Sequence, residues 1–375
     1  MNRGIVVVAG ALAQKPTYGG HAWVFLQYLL GFRRLGFEVL FLDRLEPDMA
    51  IDDDVAMAHV HHVLEPFGLG DNFAILCDRG RRTLGLTREA VVERARSSVL
   101  LLNVMGFLVD EEILAAAPRR VFFDIDPGFS QMWRELGMAD IISGHDLFLT
   151  VGENVGLPKC GVPTCGLDWI TTRQPIVLDE WPTADGRGPF TTVGAWRGPF
   201  APVEYGGRTY GLRVHEFRRF AALPRITSKA FEVALDIDPG DARDIELLGA
   251  NGWALVDPGQ ATQDPSAYRA FIQRSDAEFA VAKNMYVQAR TGWFSDRSAC
   301  YLASGKPVLV QDTGLAGLYP VGEGLLTFDT LEDAVSGVEA ISGDYRRHAR
   351  AAREIAEDLF DSRKVLSRLL DKLAV

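Results

Sequence analysis

Unbroken apolar runs alternate with helical stripes along the first half of the chain. Residues 5–12 (IVVVAGAL) are apolar throughout and rich in β-branched side chains, the pattern of a strand covered on both faces. After a Pro/Gly loop, HAWVFLQYLLGFRRLG carries apolar positions at helical spacing and stops at Gly36. EVLFLD at 38–43 predicts a second strand, and SSVLLLNVMG, RRVFFDIDPG and HDLFLTVGEN predict three more, each closing in polar or Gly residues. Such alternation predicts a doubly wound parallel sheet that binds ligands at the carboxyl ends of its strands.

The pattern breaks at 166–188, where GLDWITTRQPIVLDEWPTADGRG is rich in Pro, Trp and turn formers and reads as an interdomain linker. Alternation then resumes. PFTTVGAW, AFEVALDID, WALVDP and EFAVAKNMYV read as strands, and VHEFRRFAALP, RDIELLGANG and SAYRAFIQRSD as helices. The C-terminal stretch from DYRRHARAAREIAEDLF onward is a long charged amphipathic helix or helix pair. The chain therefore reads as two α/β halves, one linker and a closing helix.

The 375 residues suffice for two domains of ordinary size. At 47% hydrophobic and 24% charged the composition is that of a soluble globular protein, and a net charge of −11 argues against nucleic acid or anionic lipid as a partner. Cys77, Cys160, Cys165 and Cys300 are too scattered for a disulfide framework, and CGVPTC has the wrong spacing for a zinc knuckle. Reduced thiols and a cytoplasmic location follow as expectations. The apolar run in MNRGIVVVAGALAQ is too short for a signal peptide and reads as the first strand, and no window reaches the ~20 apolar residues of a membrane span.

Residues 291–314 (TGWFSDRSACYLASGKPVLVQDTG) hold the densest candidate chemistry. SACYLASG reads as a helix and GKPVLVQ as the next strand, so Ser295, Asp296, Arg297 and Ser298 stand at a helix start beside a strand end. Unpaired N–H groups and the positive end of the dipole make such a place fit for a phosphate. Ser and Asp also cap helices in any protein. Arg297 can pair with a diphosphate, and Asp312, Thr313 and Gly314 close the following strand where sugar or ribose hydroxyls would lie. This stretch resembles the donor site of GT-B glycosyltransferases, the bacterial family 1 and family 4-like group, and the two-half layout resembles that fold along nearly the whole chain. Gly292 to Ser295 is similar to the plant-type Gly-Trp-x-Ser signature, with about two more residues before Gly305, and Cys300 stands where many retaining members carry a ribose-binding Glu.

The resemblance implies two Rossmann-like domains facing a cleft. Residues 1–172 would bind the acceptor, 173–345 would bind a nucleoside diphosphate sugar (UDP or TDP), and 346–375 would return to the N-terminal domain. It implies a co-substrate in place of a cofactor and no metal, and it leaves a homodimer open. Gly19 and Gly20 in TYGGH let backbone approach a donor closely or simply permit a tight turn. His21 follows at the helix start, where many inverting members carry the general base, and a neutral imidazole suits that task near pH 7. Asp124 and Asp126 in FFDIDPG are candidate carboxylate partners for it, or caps of the turn at Pro127. Arg197 and Lys283, each ending a strand of the second half, are further candidate diphosphate contacts. Residues 253–258 line the base pocket or form a core strand.

Asp52, Asp53 and Asp54 read as helix-start acids rather than a metal motif, and His59 with His62 as a solvated helix face. The expected activity is inverting transfer of a sugar to a hydroxyl of unspecified acceptor. A non-hydrolysing nucleotide-sugar epimerase and an inactive nucleotide-binding scaffold are the alternatives. No Gly-x-Gly-x-x-Gly follows the first strand, which disfavours a dinucleotide dehydrogenase.

Overall fold

The computed structural model describes residues 3–49, 51–185 and 188–375. The first half builds one sheet from β1 (Ile5–Ala9), β2 (Glu38–Leu45), β3 (Phe73–Cys77), β4 (Arg82–Gly85), β5 (Ser98–Val104), β6 (Arg120–Asp124), β7 (Leu147–Thr150) and β8 (Trp169–Thr171). Their order is β4-β3-β2-β1-β5-β6-β7-β8, parallel except for β4, which returns antiparallel on β3. Register follows the apolar runs: Val7 of β1 lies between Leu40 of β2 and Leu101 of β5, all buried because helices cover both faces.

The second half supplies β9 (Phe190–Ala195), a small hairpin of β10 (Val203–Tyr205) and β11 (Arg208–Tyr210), β12 (Phe231–Asp236), β13 (Trp253–Leu255), β14 (Ala277–Ala280), β15 (Val308–Gln311) and β16 (Leu325–Phe328). Its six-stranded sheet runs β13-β12-β9-β14-β15-β16, all parallel. The run at 278–287 is not one strand. β14 stops at Ala280, and a helix begins at Asn284. The expected linker contains β8, which belongs to the first sheet, and residues 186 and 187 lie outside the described part.

The closing element is two helices with separate duties. Tyr345–Leu359 packs on the second half against the helix Asp296–Ala303, and Ser362–Lys372 packs on the first helix, Gly19–Arg34. The break between them is fixed by main-chain bonds on either side of Ile176, whose N–H donates to Phe360 O (2.6 Å) and whose carbonyl accepts from Ser362 N (2.9 Å). A shared apolar core joins the halves through Trp23, Trp181 and Tyr268. Trp23 also donates its indole N–H to Pro265 O at 2.9 Å. The carboxyl ends of both sheets therefore face one another across a narrow cleft.

All four cysteines are free thiols. Among the described residues no helix is long and apolar enough to cross a membrane, and no His, Cys, Asp and Glu cluster is arranged to hold a metal ion.

Candidate active site

Asp124 ends β6 with its carboxylate fully buried. It accepts from Gln131 Nε2 (2.7 Å), Thr150 Oγ1 (2.8 Å) and Asp126 N (3.0 Å). Burial raises it to about 6 against the pull of those bonds. Two residues later the chain has turned into the cleft. Asp126 accepts from Lys283 Nζ at 2.5 Å and from the Tyr286 hydroxyl, both on the other half. Lys283 precedes the helix Asn284–Ala289, and its ammonium lies 5.2–5.4 Å from the ring centres of Phe129, Phe200 and Tyr286. Burial pulls Lys283 below the ordinary lysine value, with Asp126 acting against it.

His21 is the third residue of the first helix. Its Nε2 lies 2.5 Å from Ala11 O. A carbonyl only accepts, so Nε2 carries the proton and the lone pair is left on Nδ1. Phe25 packs against the ring edge-on, and burial holds His21 down to about 4, so the imidazole is neutral at pH 7. The carboxylate partner expected for this ring is not Asp124 or Asp126, whose hydrogen bonds go to the groups named above. Gly19 and Gly20 also serve a different purpose from a donor contact. A Cβ on Gly19 would enter the Asp264 and Thr262 carbonyls, and one on Gly20 the Tyr268 ring, so these glycines let the two halves of the protein close on each other.

On the donor side, Ser295 acts as a helix cap, accepting from Arg297 N at 3.2 Å, and burial raises the neighbouring Asp296. Arg297 turns into the sheet. It pairs with the buried Glu278 and donates to Val193 O at 2.9 Å, because helical spacing puts position 297 on the inward face. Arg197 is held in a two-bond pair with Asp241 at 2.7 and 2.6 Å, on the surface. Asp312 accepts from Gly314 N, Leu315 N and Arg290, and Thr313 donates to Trp293 O at 2.7 Å. Gly314 O accepts from Asn154 of the first half at 2.9 Å. Arg297, Arg197, Asp312, Thr313 and Gly314 thus all have protein partners where phosphate or sugar contacts were expected.

Ser298 and Arg213 stand apart from these. Ser298 is 1% exposed, and its hydroxyl has no hydrogen-bond partner. Arg213 opens the helix Arg213–Phe217 and was not foreseen. Its guanidinium donates to Ala195 O (3.0 Å) and Val281 O (3.1 Å), bridging the ends of β9 and β14. No carboxylate pairs with it among the described residues. Burial, with Arg297 nearby, pulls it down to about 10. Its signal in the sequence was a charged residue among the apolar Val214 and Phe217 of a predicted helix, although the buried Glu216 shares that helix. Alongside, Thr17, Tyr18, Asp236, Leu255, Asp257 and Pro258 line a pocket of about 440 Å³ at the ends of β12 and β13. Part of the 253–258 segment therefore does line an opening, while Trp253 itself is core.

Comparison with known proteins bears on this arrangement. A family profile described as glycosyl transferase-like matches residues 229–371, which include Lys283 and Ser298. No curated protein sequence matches the chain. Solved structures match along nearly all of it. HepE of Anabaena in complex with UDP-glucose is 14% identical, with a TM-score of 0.61 over 99% of this chain and 100% of that one. Sucrose-phosphate synthase from Thermosynechococcus elongatus gives 13% and 0.56, over 99% of both chains. The chain has the GT-B fold. An alpha-glucosyltransferase in complex with UDP aligns over 99% of this chain and 100% of its own, at 12% identity and a TM-score of 0.59. In GT-B terms, His21 and Asp126 lie on the N-terminal side of the cleft and Arg213, Lys283 and Ser298 on the C-terminal side.

Proposed function

We propose that the protein is a glycosyltransferase that moves a sugar from a nucleoside diphosphate sugar to an acceptor hydroxyl. The observation that carries this is the buried Arg213 at the carboxyl edge of the second sheet, near Lys283; Arg213 makes no ion pair among the described residues, although the charges of Asp126 and Glu278 act on it. A buried guanidinium lacking a carboxylate is costly unless an anion joins it. A diphosphate supplies that anion, and the start of the helix Asp296–Ala303 adds its dipole. The leaving diphosphate is then stabilised by the same cations without calling on a metal. The 440 Å³ pocket under Tyr18 takes the nucleobase. UDP in the HepE and alpha-glucosyltransferase complexes makes UDP the first nucleotide to try.

His21 is the base in this reading. It is neutral at pH 7 and keeps a lone pair on Nδ1, so it takes the acceptor proton as the hydroxyl attacks, giving inversion. Asp126 is the rival, because it touches the donor half directly. Thermal shift of the purified protein with UDP, TDP, GDP, ADP and CDP, with and without EDTA, tests the donor site. One diphosphate raises the melting temperature by several degrees irrespective of EDTA. Arg213→Met abolishes that rise without lowering the unliganded melting temperature. No response to any diphosphate would sink the proposal. With a donor in hand, His21→Ala stops transfer but keeps nucleotide binding; survival of turnover in His21→Ala and its loss in Asp126→Asn would move the base role to Asp126.

A further inference from the structure

The question left by His21 is what plays the part of its missing carboxylate. Asp43, in β2 near its carboxyl end, is 1% exposed. Its Oδ2 accepts from Leu12 N at 2.7 Å and Ala13 N at 2.6 Å, and its Oδ1 from Arg44 N at 2.6 Å. Leu12 N–H and Ala11 C=O are two ends of one peptide group, planar and conjugated. That same Ala11 carbonyl receives the His21 Nε2 proton at 2.5 Å. A continuous path therefore runs from carboxylate through one amide to imidazole. Charge on Asp43 polarises the amide and makes the Ala11 oxygen a stronger acceptor, since bonds in such a chain reinforce one another. It also fixes the loop from which that carbonyl points.

We propose that Asp43 is the positioning residue of His21, acting through the Ala11–Leu12 peptide to hold the ring in its Nε2–H tautomer. The structural claim stands on the hydrogen bonds alone; its catalytic consequence rests on the base role of His21 proposed above. Asp43 makes no hydrogen bond to the ring itself. The amide passes on the orientation while keeping the ion buried behind the loop.

Ionisation of Asp43 gives the path a signature. Burial raises this carboxyl to about 7, with the Leu12, Ala13 and Arg44 amides and the Arg44 charge opposing. The other groups facing the pair are Cys77 on β3, on the Asp43 side, and Lys15 and His59, on the His21 side. Burial holds the Cys77 thiol up to about 11 and His59 below the usual imidazole range, so neither titrates near 7.

The experiment is nitrogen NMR of the full chain labelled at histidine, with the His21 signals assigned by their loss in His21→Gln. At pH 8.5 the wild type shows one tautomer, protonated at Nε2, and its ring nitrogens shift with a midpoint near 7 as the pH is lowered to 6. Asp43→Asn shows a mixture of tautomers and no midpoint. In turnover, Asp43→Asn lowers kcat about 10-fold, part of the ~10²–10⁴ that a positioned base supplies, with the donor KM within about twofold. Unchanged His21 signals in Asp43→Asn overturn the proposal. Where that variant fails to fold, wild-type ring signals at pH 8.5 that show protonation at Nδ1 or a mixture of tautomers overturn it equally. A tautomer that follows Asp43 while kcat does not supports the path and removes His21 from the base role.

Discussion

His21 folds as a neutral ring, and this sets a sign for how stability responds to acid. Its value falls from 6.5 to about 4 in the folded protein because burial disfavours the charged form. Between those limits the unfolded chain holds more protons, so stability falls as pH falls, by at most ~1.4 kcal/mol per pH unit. Asp124 has the opposite sign. Burial raises it from 3.8 to about 6, so the folded protein holds the extra proton and loses stability as pH rises through that window. Melting temperatures at pH 5 and 7.5 separate the two. His21→Gln gains on the wild type mainly at pH 5, and Asp124→Asn mainly at pH 7.5, each by about 2–4 °C per kcal/mol for domains of this size. A reversed order would mean that His21 is solvated or Asp124 ionised in the fold. At this scale the sequence made position legible and partnership not. His21 and Asp126 could be placed because helix starts and strand ends are local features. That Arg197 meets Asp241, or Arg297 meets Glu278, depends on packing between segments far apart in the chain. Asp43 was in view as the last residue of an expected strand, the position that strand-end reasoning favours.

Elements were legible where the two periodicities differ and obscure where they overlap. The buried strands β1, β2, β5 and β6 are long apolar runs that no surface helix could tolerate. EFAVAKNMYV misled because Ala, Val and Met suit either element and the turn at Lys283 has no Gly or Pro. The start of the first helix at Gly19 meets residues 262–264 without any repeating pattern, so their contact was invisible. That contact makes a prediction about the start of the first helix. Gly19 donates its N–H to Thr262 O at 2.8 Å, and its α-carbon lies against the main chain of Asp264, which cannot rotate away as a side chain could. Gly19→Ala therefore forces the halves apart and lowers the melting temperature. Gly249, inside the helix Ala242–Ala250, has open space around its Cβ position. Gly249→Ala raises stability by about 0.5–1 kcal/mol through the helix preference of alanine. Differential scanning calorimetry of both variants checks the contrast, and a neutral Gly19→Ala would show that the interdomain contact is loose.

At the scale of the molecule, two α/β halves and a closing helix followed from alternation alone, but how tightly they close did not. The halves meet through groups that the proposed donor would have to displace. Asp126 holds Lys283 and Tyr286, Tyr18 donates to Asp236 at 3.3 Å, and Asn154 reaches Arg290 O and Gly314 O. The space between Ser298, Val281 and Gln311 is about 10 Å³, too small for a phosphate, and only residues of the second half line it, so in the proposed reading these side chains must shift to admit a diphosphate at the helix start. Asp126 pairs with Lys283 in a buried place, the lysine side chain 15% exposed, and acts against the downward pull of burial on it. Removing one partner of such a pair costs about 3–5 kcal/mol where the other stays buried, a cost that opening relieves by returning Lys283 to water. Asp126→Asn should therefore melt lower than wild type without ligand and show a larger radius of gyration by small-angle scattering. It should also gain more from a bound nucleoside diphosphate, because phosphate replaces the lost carboxylate at Lys283. Lys283→Met should lose most of the nucleotide response. Asp126→Asn with wild-type dimensions and a wild-type gain would mean that closure is held by the apolar Trp23, Trp181 and Tyr268 contacts, and the ion pair would then orient Lys283 without governing access to the cleft.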